Sequence, residues 1–287
     1  MMKILVTGAS GNVGSYVVNE LIALNENVVA AGTNVSKLKD KFGDKIEPVY
    51  FDFTKPETFD EALKGVDRVF LMRPPHLGKP EDLYPFIDAV KKHEVKLLSF
   101  LSLMGVENNP IPPHHKIENY IEKSGIPFAH IRPGFFMQNI SGVHSVEIVK
   151  LDQIFVPAGK SKTSFIDAAD IGLAIATVLH DAKAHKNSTF TITGPEALTY
   201  DQVAEVLTKV TGRKITYARP SYLKYRNYYL KNRKLDKNYV NVTVALYFMT
   251  RMGTAKAVTD EFYLLTGKRP RTFEAFAREH KEIFIKN

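Results

Sequence analysis

The 287-residue sequence contains no cysteine, no tryptophan and no long hydrophobic run. The lack of cysteine excludes disulfide bonds, thiolate metal ligands and cysteine nucleophiles. The apolar run at residues 4–7 is cut short by Gly8, so we expect no secretory signal. No stretch approaches the roughly 18 apolar residues that a membrane span requires. We therefore expect a cytoplasmic protein that does not associate with membranes.

Acidic residues are nearly missing from one segment of the chain. Between Arg213 and Lys237, nine Lys or Arg residues stand against one acid, Asp236, and this excess of eight equals the net charge of +8. The rest of the chain is therefore close to neutral, and the overall charge does not predict a general affinity for nucleic acid. Nucleic-acid binding is a weak alternative, because no recognition motif accompanies the local charge.

Short apolar runs alternate with helical patterns through the first half of the chain. The predicted strands are 3–7, 27–31, 47–51, 68–72, 97–103 and 128–131, and the predicted helices are 13–24, 35–42, 54–63, 81–93 and 114–124. This alternation predicts an α/β fold with a doubly wound parallel sheet of the Rossmann type.

The second half of the chain is less regular. We assign residues 1–155 to the Rossmann domain and 156–287 to a smaller, mainly helical domain on the substrate side. A strand at 189–193 is expected to rejoin the first sheet. Asp170 is predicted to cap a helix over 171–179, and Thr199 with Gln202 is predicted to form a capping box.

A glycine-rich turn links the first strand to the first helix. Its residues are Gly8, Ala9, Ser10, Gly11, Asn12, Val13 and Gly14. Gly8 permits the turn, Gly11 lets a pyrophosphate approach the backbone, and Gly14 lets the helix pack closely on the sheet. An anion placed here is stabilised by free N–H groups at the positive end of the helix dipole. The motif predicts a bound NAD(P)(H) cofactor.

The turn after the second strand favours NADP(H) over NAD(H). An NAD-binding protein usually has an acidic residue there, which holds the ribose 2′-hydroxyl. This chain has Thr33, Asn34 and Lys37 instead, and they can bind a 2′-phosphate. No arginine in this turn can bind the phosphate through two hydrogen bonds. The alternative for Lys37 is that it is only a solvent-exposed charge on the helix.

Two further loops are expected to contact the cofactor. Asp52 and Phe53 follow the third strand and are assigned to the adenine. Met72, Arg73 and Pro74 follow the fourth strand and are assigned to the ribose and nicotinamide. The alternative for Pro74 is that it only fixes the chain as it leaves the sheet.

Several motifs occur in the order typical of a known family. They are the glycine turn, KGVDRVF at 64–70, SGIPF at 124–128, RPGFFMQN at 132–139, FIDAAD at 165–170, ITGPEAL at 192–198 and LTGK at 265–268. On these motifs the sequence resembles the NmrA-like, atypical short-chain dehydrogenase/reductase family. The resemblance implies NAD(P)(H) binding. Family members include reductases of quinones, azo dyes and triphenylmethane dyes, and also redox sensors that bind dinucleotide without turnover.

The chain departs from this family's classical relatives at the proton donor. No tyrosine is followed by lysine four residues later, so the Tyr-x-x-x-Lys pair is absent. By alignment with the following motifs, His114 falls where the lysine would be, and we consider it as a proton donor. Glu118 would favour the charged form of His114, whereas the helix N-terminus would favour the neutral form. The alternative is a histidine that orients the ribose or caps the backbone.

Other residues are weaker candidates. Ser102, after the fifth strand, is a second catalytic candidate, although a serine there is often satisfied by backbone. Phe135 is assigned to the nicotinamide and Phe136 to the substrate, with core packing as the alternative. His114 and His115 cannot chelate one ion, since neighbouring helix residues diverge by about 100°, and no HExxH motif occurs. We therefore predict no metal.

A tyrosine-rich segment lies within the basic region. Tyr222, Tyr225 and Tyr229 share a helix face, and we assign Tyr222 and Tyr225 to a substrate lid. The alternatives are a packed tyrosine stripe and stacking on nucleic-acid bases.

Together these features predict an NADPH-dependent reductase that transfers hydride to a small flat electron acceptor such as a quinone. The alternative is a dinucleotide-sensing regulator without turnover, which would act through a protein partner.

Overall fold

The computed structural model describes residues 2–286. Its strands are β1 (Lys3–Val6), β2 (Asn27–Gly32), β3 (Glu47–Tyr50), β4 (Val66–Met72), β5 (Leu97–Leu101), β6 (Phe128–Pro133), β7 (Phe135–Phe136), β8 (Gln153–Ile154), β9 (Lys162–Ile166), β10 (Ser188–Ile192), β11 (Ala197–Thr199) and β12 (Thr216–Tyr217). Its helices are α1 (Asn12–Ala23), α2 (Val35–Phe42), α3 (Phe59–Ala62), α4 (Tyr84–Lys92), α5 (Pro113–Ser124), α6 (Gln138–Ser141), α7 (Ser145–Leu151), α8 (Ala168–His180), α9 (Tyr200–Thr211), α10 (Tyr222–Lys231), α11 (Lys237–Arg251), α12 (Glu261–Thr266), α13 (Phe273–Glu279) and α14 (Lys281–Phe284).

The chain divides into two compact units. Unit 1 contains the described residues up to Pro133, together with Ala168–Ile192 and Glu261–Lys268. Unit 2 contains Gly134–Asp167, Thr193–Asp260 and the described residues from Arg269 onward. The sequence analysis placed one boundary at residue 155, whereas the chain passes between the units several times, because α8, β10 and α12 return to unit 1. Within residues 2–286, no helix has both the length and the apolarity needed to cross a bilayer.

Unit 1 is built on a seven-stranded sheet in the order β10-β6-β5-β4-β1-β2-β3. All neighbouring strands are parallel. The direction of winding reverses between β1 and β4, which creates the crevice where such sheets bind ligands at the carboxyl ends of their strands. The predicted doubly wound Rossmann fold is confirmed.

Helices cover the sheet of unit 1, and this explains why its strands are almost continuously apolar. Ile4, Leu5 and Val6 of β1 are all fully buried. Helix α8 packs closely on α1: a Cβ atom at Gly172 would lie 2.4 Å from Cβ of Tyr16, so only glycine allows this approach.

Of the two helix starts that were predicted from capping residues, the structure confirms one. At α9, Thr199 Oγ1 accepts from the Gln202 N–H at 3.3 Å, and Gln202 Oε1 accepts from the Thr199 N–H at 2.9 Å. The predicted capping box is therefore confirmed. Asp170 was wrongly predicted as an N-cap, because α8 begins at Ala168. Asp170 lies instead in the first turn, where its charge still complements the helix dipole.

Unit 2 is mainly helical and contains two small sheets, of order β11-β9-β7 and β12-β8. Helices α10 and α11 pack side by side, and Tyr225 Oη donates to Thr243 Oγ1 at 3.2 Å. Tyrosines fill much of the core of this unit. The buried ones are Tyr200, Tyr217, Tyr225, Tyr229 and Tyr247.

Candidate functional site

The glycine turn lies at the carboxyl end of β1, beside the end of β4. Thr7 joins the two strands, since its hydroxyl donates to the Phe70 carbonyl at 2.9 Å and accepts from the Met72 N–H at 3.1 Å. Gly8 has a left-handed φ of +62°, and a Cβ there would lie 2.2 Å from Sδ of Met72. A Cβ at Gly14 would lie 2.2 Å from the Gly8 carbonyl oxygen. Both glycines are therefore required by the backbone path of the turn.

Helix α2, which follows β2, brings one lysine to the glycine turn and places a second lysine beside it. Asn34 caps α2, because its Oδ1 accepts from the Lys37 N–H at 2.9 Å. One turn beyond Lys37, Lys41 places its Nζ 3.4 Å from the Ser10 carbonyl oxygen. Partial burial lowers the pKa of Lys41, and the charge of Lys37 lowers it further. The two ammonium groups are therefore close enough to repel each other, and together they attract an anion.

Lys41 is a candidate that the sequence analysis missed. It occurs in the last turn of a helix, where lysine commonly complements the helix dipole. Its i, i+4 spacing from Lys37 was the available signal, because such residues lie on one helix face.

The loop after β3 is fixed by local contacts. Asp52 Oδ1 accepts from the backbone N–H of Thr54 at 2.9 Å and from its hydroxyl at 2.7 Å. The hydroxyl bond, followed by the backbone bond, lowers the pKa of Asp52. Phe53 packs edge-on against Phe51, with ring centroids 4.7 Å apart. Asp52 and Phe53 are thus held at the edge of the sheet, and their assignment to the adenine stays a prediction.

The remaining predicted cofactor residues differ in exposure. Ala9 and Val13 are buried, Ser10 and Pro74 are half-buried, and Asn12 and Thr33 are exposed.

Several buried polar atoms of unit 1 lie on β5, after β4 and β5, and in the first turn of α5. Among the described residues, Arg73 Nε, Ser99 Oγ and His114 Nδ1 have no hydrogen-bond partner, and the hydroxyl of Ser102 lowers the pKa of Glu118. Arg73 donates through Nη1 to the carbonyls of Pro74 and Leu77, which folds its side chain back over its own loop. Buried polar groups are rarely left unpaired in proteins. Arg73 and His114 are close enough for the charge of one to lower the pKa of the other, so their unpaired atoms fit a site that is completed by a polar ligand.

His114 is held in its neutral form. Burial lowers its pKa to about 3, the charge of Arg73 acts in the same direction, and Glu118 acts against both. Glu118 has only a small effect because Arg132 binds its carboxylate at 3.0 and 2.6 Å. An imidazolium at position 114 is therefore disfavoured near neutral pH, so His114 is better suited to hydrogen bonding than to donating a proton.

Four predicted site residues belong to unit 2. Phe135 and Phe136 are half-buried in β7, which pairs with Phe165 and Ile166 of β9. Tyr222 is half-buried, with its ring centroid 6.1 Å from that of Phe248. Tyr225 is 1% exposed and belongs to the core. The packed-stripe alternative therefore applies to Tyr225 in this structure, and the substrate roles of Phe136 and Tyr222 stay predictions.

Comparison with known proteins gives concordant results. The profile of the NmrA-like family matches residues 1–276. Prestalk A differentiation protein A of Dictyostelium discoideum is 34% identical over 282 residues, which cover 97% of this chain and 92% of that protein. NAD(P)H azoreductase of Xenophilus azovorans is 28% identical over 287 residues, which cover 98% of this chain and 99% of that protein. An NADPH-dependent quinone oxidoreductase of Escherichia coli, solved with NADPH, matches with a TM-score of 0.88 at 23% identity, covering 99% of this chain and all of that one. The chain therefore belongs to the NmrA-like family.

Proposed function

We propose that this protein is an NADPH-dependent reductase that reduces a quinone or another flat aromatic electrophile. The single observation that carries the proposal is the glycine turn at the β1/β4 switch point, where Gly8 and Gly14 leave the backbone N–H groups open to a pyrophosphate. The family membership and the names of the azoreductase and quinone oxidoreductase relatives support this reading.

The preference for NADPH is inferred from charge. Lys41 approaches the glycine turn, Lys37 is close enough to Lys41 to lower its pKa, and the β2–α2 turn contains no acidic residue that would repel a 2′-phosphate. Thr33 and the side-chain amide of Asn34 can add hydrogen bonds. A charged hydrogen bond contributes roughly 1.5–3 kcal/mol, which corresponds to about a tenfold to hundredfold change in affinity.

The chain's own groups would position the reactants. NADPH, when bound, supplies a hydride. Arg73 and His114 offer unpaired buried polar atoms that can bind the ligand, and Ser102 offers a buried hydroxyl. A quinone that has accepted hydride can take its proton from water, so the reaction tolerates a neutral His114 and the missing Tyr-x-x-x-Lys pair. The protein's main contribution would then be orientation and exclusion of water.

The first test measures loss of reduced nicotinamide with a panel of quinones, an azo dye and a no-acceptor control, while cofactor binding is titrated in parallel. Turnover that requires an acceptor is expected. Tight binding of NADPH without turnover on any acceptor would contradict the reductase proposal and favour the dinucleotide sensor.

Lysine variants test the cofactor preference. Lys37→Ala and Lys41→Ala should each weaken NADPH binding by roughly tenfold or more, with little effect on NADH. Lys39→Ala is a matched control, because Lys39 is exposed on the same helix but lies two residues from each, away from their shared face. Equal losses for NADPH and NADH would refute the charge argument.

A further inference from the structure

A buried histidine and two carboxylates converge between α5 and β6 of unit 1. The ligand atoms offered by Glu118, Glu122 and His130 all lie within 4.8 Å of one another. We propose that these three side chains bind one divalent transition-metal ion, for which Zn²⁺ is the best match. The proposal does not depend on the proposed reduction, although Glu118 also acts on the pKa of His114.

His130 is the observation that singles out this cluster. Its side chain is fully buried, yet neither ring nitrogen has a hydrogen-bond partner within residues 2–286. The ring is held between Phe128, stacked at a centroid distance of 4.6 Å, and Phe100, edge-on at 6.1 Å. A neutral imidazole has one ring nitrogen with a free lone pair, which can bind a metal. An oriented, unpaired imidazole of this kind is a suitable metal ligand.

The distances suit a small coordination sphere. His130 Nε2 lies 3.3 Å from Glu122 Oε1. In a tetrahedral zinc site with bonds of about 2.0–2.1 Å, neighbouring ligand atoms are about 3.3–3.4 Å apart. Glu118 and Glu122 are one turn apart on α5 and therefore lie on one face of the helix. The three side chains can then bind an ion with little rearrangement, and water can complete the sphere.

The local charge favours a divalent cation even though an arginine is present. Arg132 binds Glu118 through two hydrogen bonds and pairs with Glu107 at 3.1 Å. An ionised carboxylate has about four lone-pair sites, so Glu118 keeps acceptors that Arg132 does not use. The three carboxylates of Glu107, Glu118 and Glu122 outweigh one guanidinium by two charges. A divalent ion neutralises this excess.

The ligand types identify the class of metal. Mg²⁺ and Ca²⁺ prefer sites made only of oxygen, whereas an imidazole nitrogen suits zinc and its neighbours among the transition metals. The sequence analysis predicted no metal because it considered only His114 and His115. The ligands proposed here are brought together only when β6 packs beside α5.

The test uses the untagged full-length protein after treatment with a chelator. Titration calorimetry with Zn²⁺ should show one site, and Glu122→Gln should weaken it by roughly tenfold or more. Glu57→Gln is a matched control, since this glutamate is exposed on unit 1 away from the cluster. With Co²⁺ as a spectroscopic probe, His130→Asn should abolish the visible absorption of a bound ion.

Circular dichroism of each variant checks that the fold is kept. Absence of a stoichiometric site in the wild-type protein would overturn the proposal. Zinc binding that is equally strong in Glu122→Gln and in wild type would also overturn it, because the ion would then be bound by other surface groups.

Discussion

His144 lies in the core of unit 2 between two tyrosine hydroxyls, and acid should destabilise the protein through this residue. Its Nδ1 is 2.9 Å from Tyr229 Oη, and its Nε2 is 2.8 Å from Tyr247 Oη. Tyr229 donates to Glu147 Oε2 at 3.0 Å, and Glu147, in its ion pair with Arg233, is a carboxylate that only accepts. Tyr229 must therefore accept from Nδ1–H, and Nε2 must accept from Tyr247. The network requires a neutral imidazole.

The size of the effect follows from the pKa of His144. Burial lowers it from 6.5 to about 3, and the charge of Arg233 acts in the same direction. Because the folded-state pKa is the lower one, the unfolded chain binds the proton first as the pH falls. The stabilisation is complete above pH 6.5 and is lost as the pH falls toward 3. At about pH 4.5, two units below the unfolded pKa, the loss is about 3 kcal/mol.

Urea unfolding of the wild type and of His144→Gln at about pH 7.5 and pH 4.5 measures this loss. Near-UV circular dichroism is a suitable signal, since the chain has no tryptophan and unit 2 buries several tyrosines. The wild type should lose about 3 kcal/mol more than the variant over this interval. The carboxylates titrate in both proteins alike, so their contribution cancels when the pH dependence of the variant is subtracted from that of the wild type. Parallel pH dependence in the two proteins would refute the reasoning.

Three further predictions concern single contacts. Gly14→Ala should weaken NADPH binding at least tenfold in a fluorescence titration, because the new Cβ would lie 2.2 Å from the Gly8 carbonyl oxygen. Arg68→Met should cost about 3 kcal/mol in urea unfolding, because the half-buried Glu26, now bound by Arg68 at 2.9 and 3.0 Å, keeps only His180 as a partner. Thr199→Ala should cost about 1 kcal/mol in the same assay, through loss of the α9 cap.

The fold of unit 1 was predictable because each signal is local. Helix α2 has the bounds that its apolar spacing predicts, 35–42. The region predicted as a helix at 54–63 is shorter, since Pro56 begins a 3-10 turn and regular helix covers only Phe59–Ala62. The strand expected at 189–193 does rejoin the first sheet, as β10 beside β6. The return of α8 and α12 to unit 1 is a long-range event that local patterns along the chain do not show.

The site was predictable only where backbone chemistry dictates it. The glycine turn could be read directly, because only glycine permits its close contacts. The lowered pKa of His114 could not be predicted from the sequence, since it depends on burial and on Arg73, which is distant in sequence. The closeness of Lys41 to Ser10 likewise depends on how α2 returns toward the first loop.

The basic segment shows why local composition alone is a poor guide to partners. Three of its arginines pair with acids elsewhere in unit 2: Arg213 with Asp152, Arg219 with Asp201 and Arg233 with Glu147. These acids lie outside residues 213–237. A count of charges within that segment alone therefore makes the three arginines look unpaired and available to an external anion. Arg233 and Glu147 also anchor the network around His144, which gives part of the excess charge a structural role. Three of the nine basic side chains that suggested nucleic-acid binding are therefore already paired within the protein. Most of the others are exposed lysines.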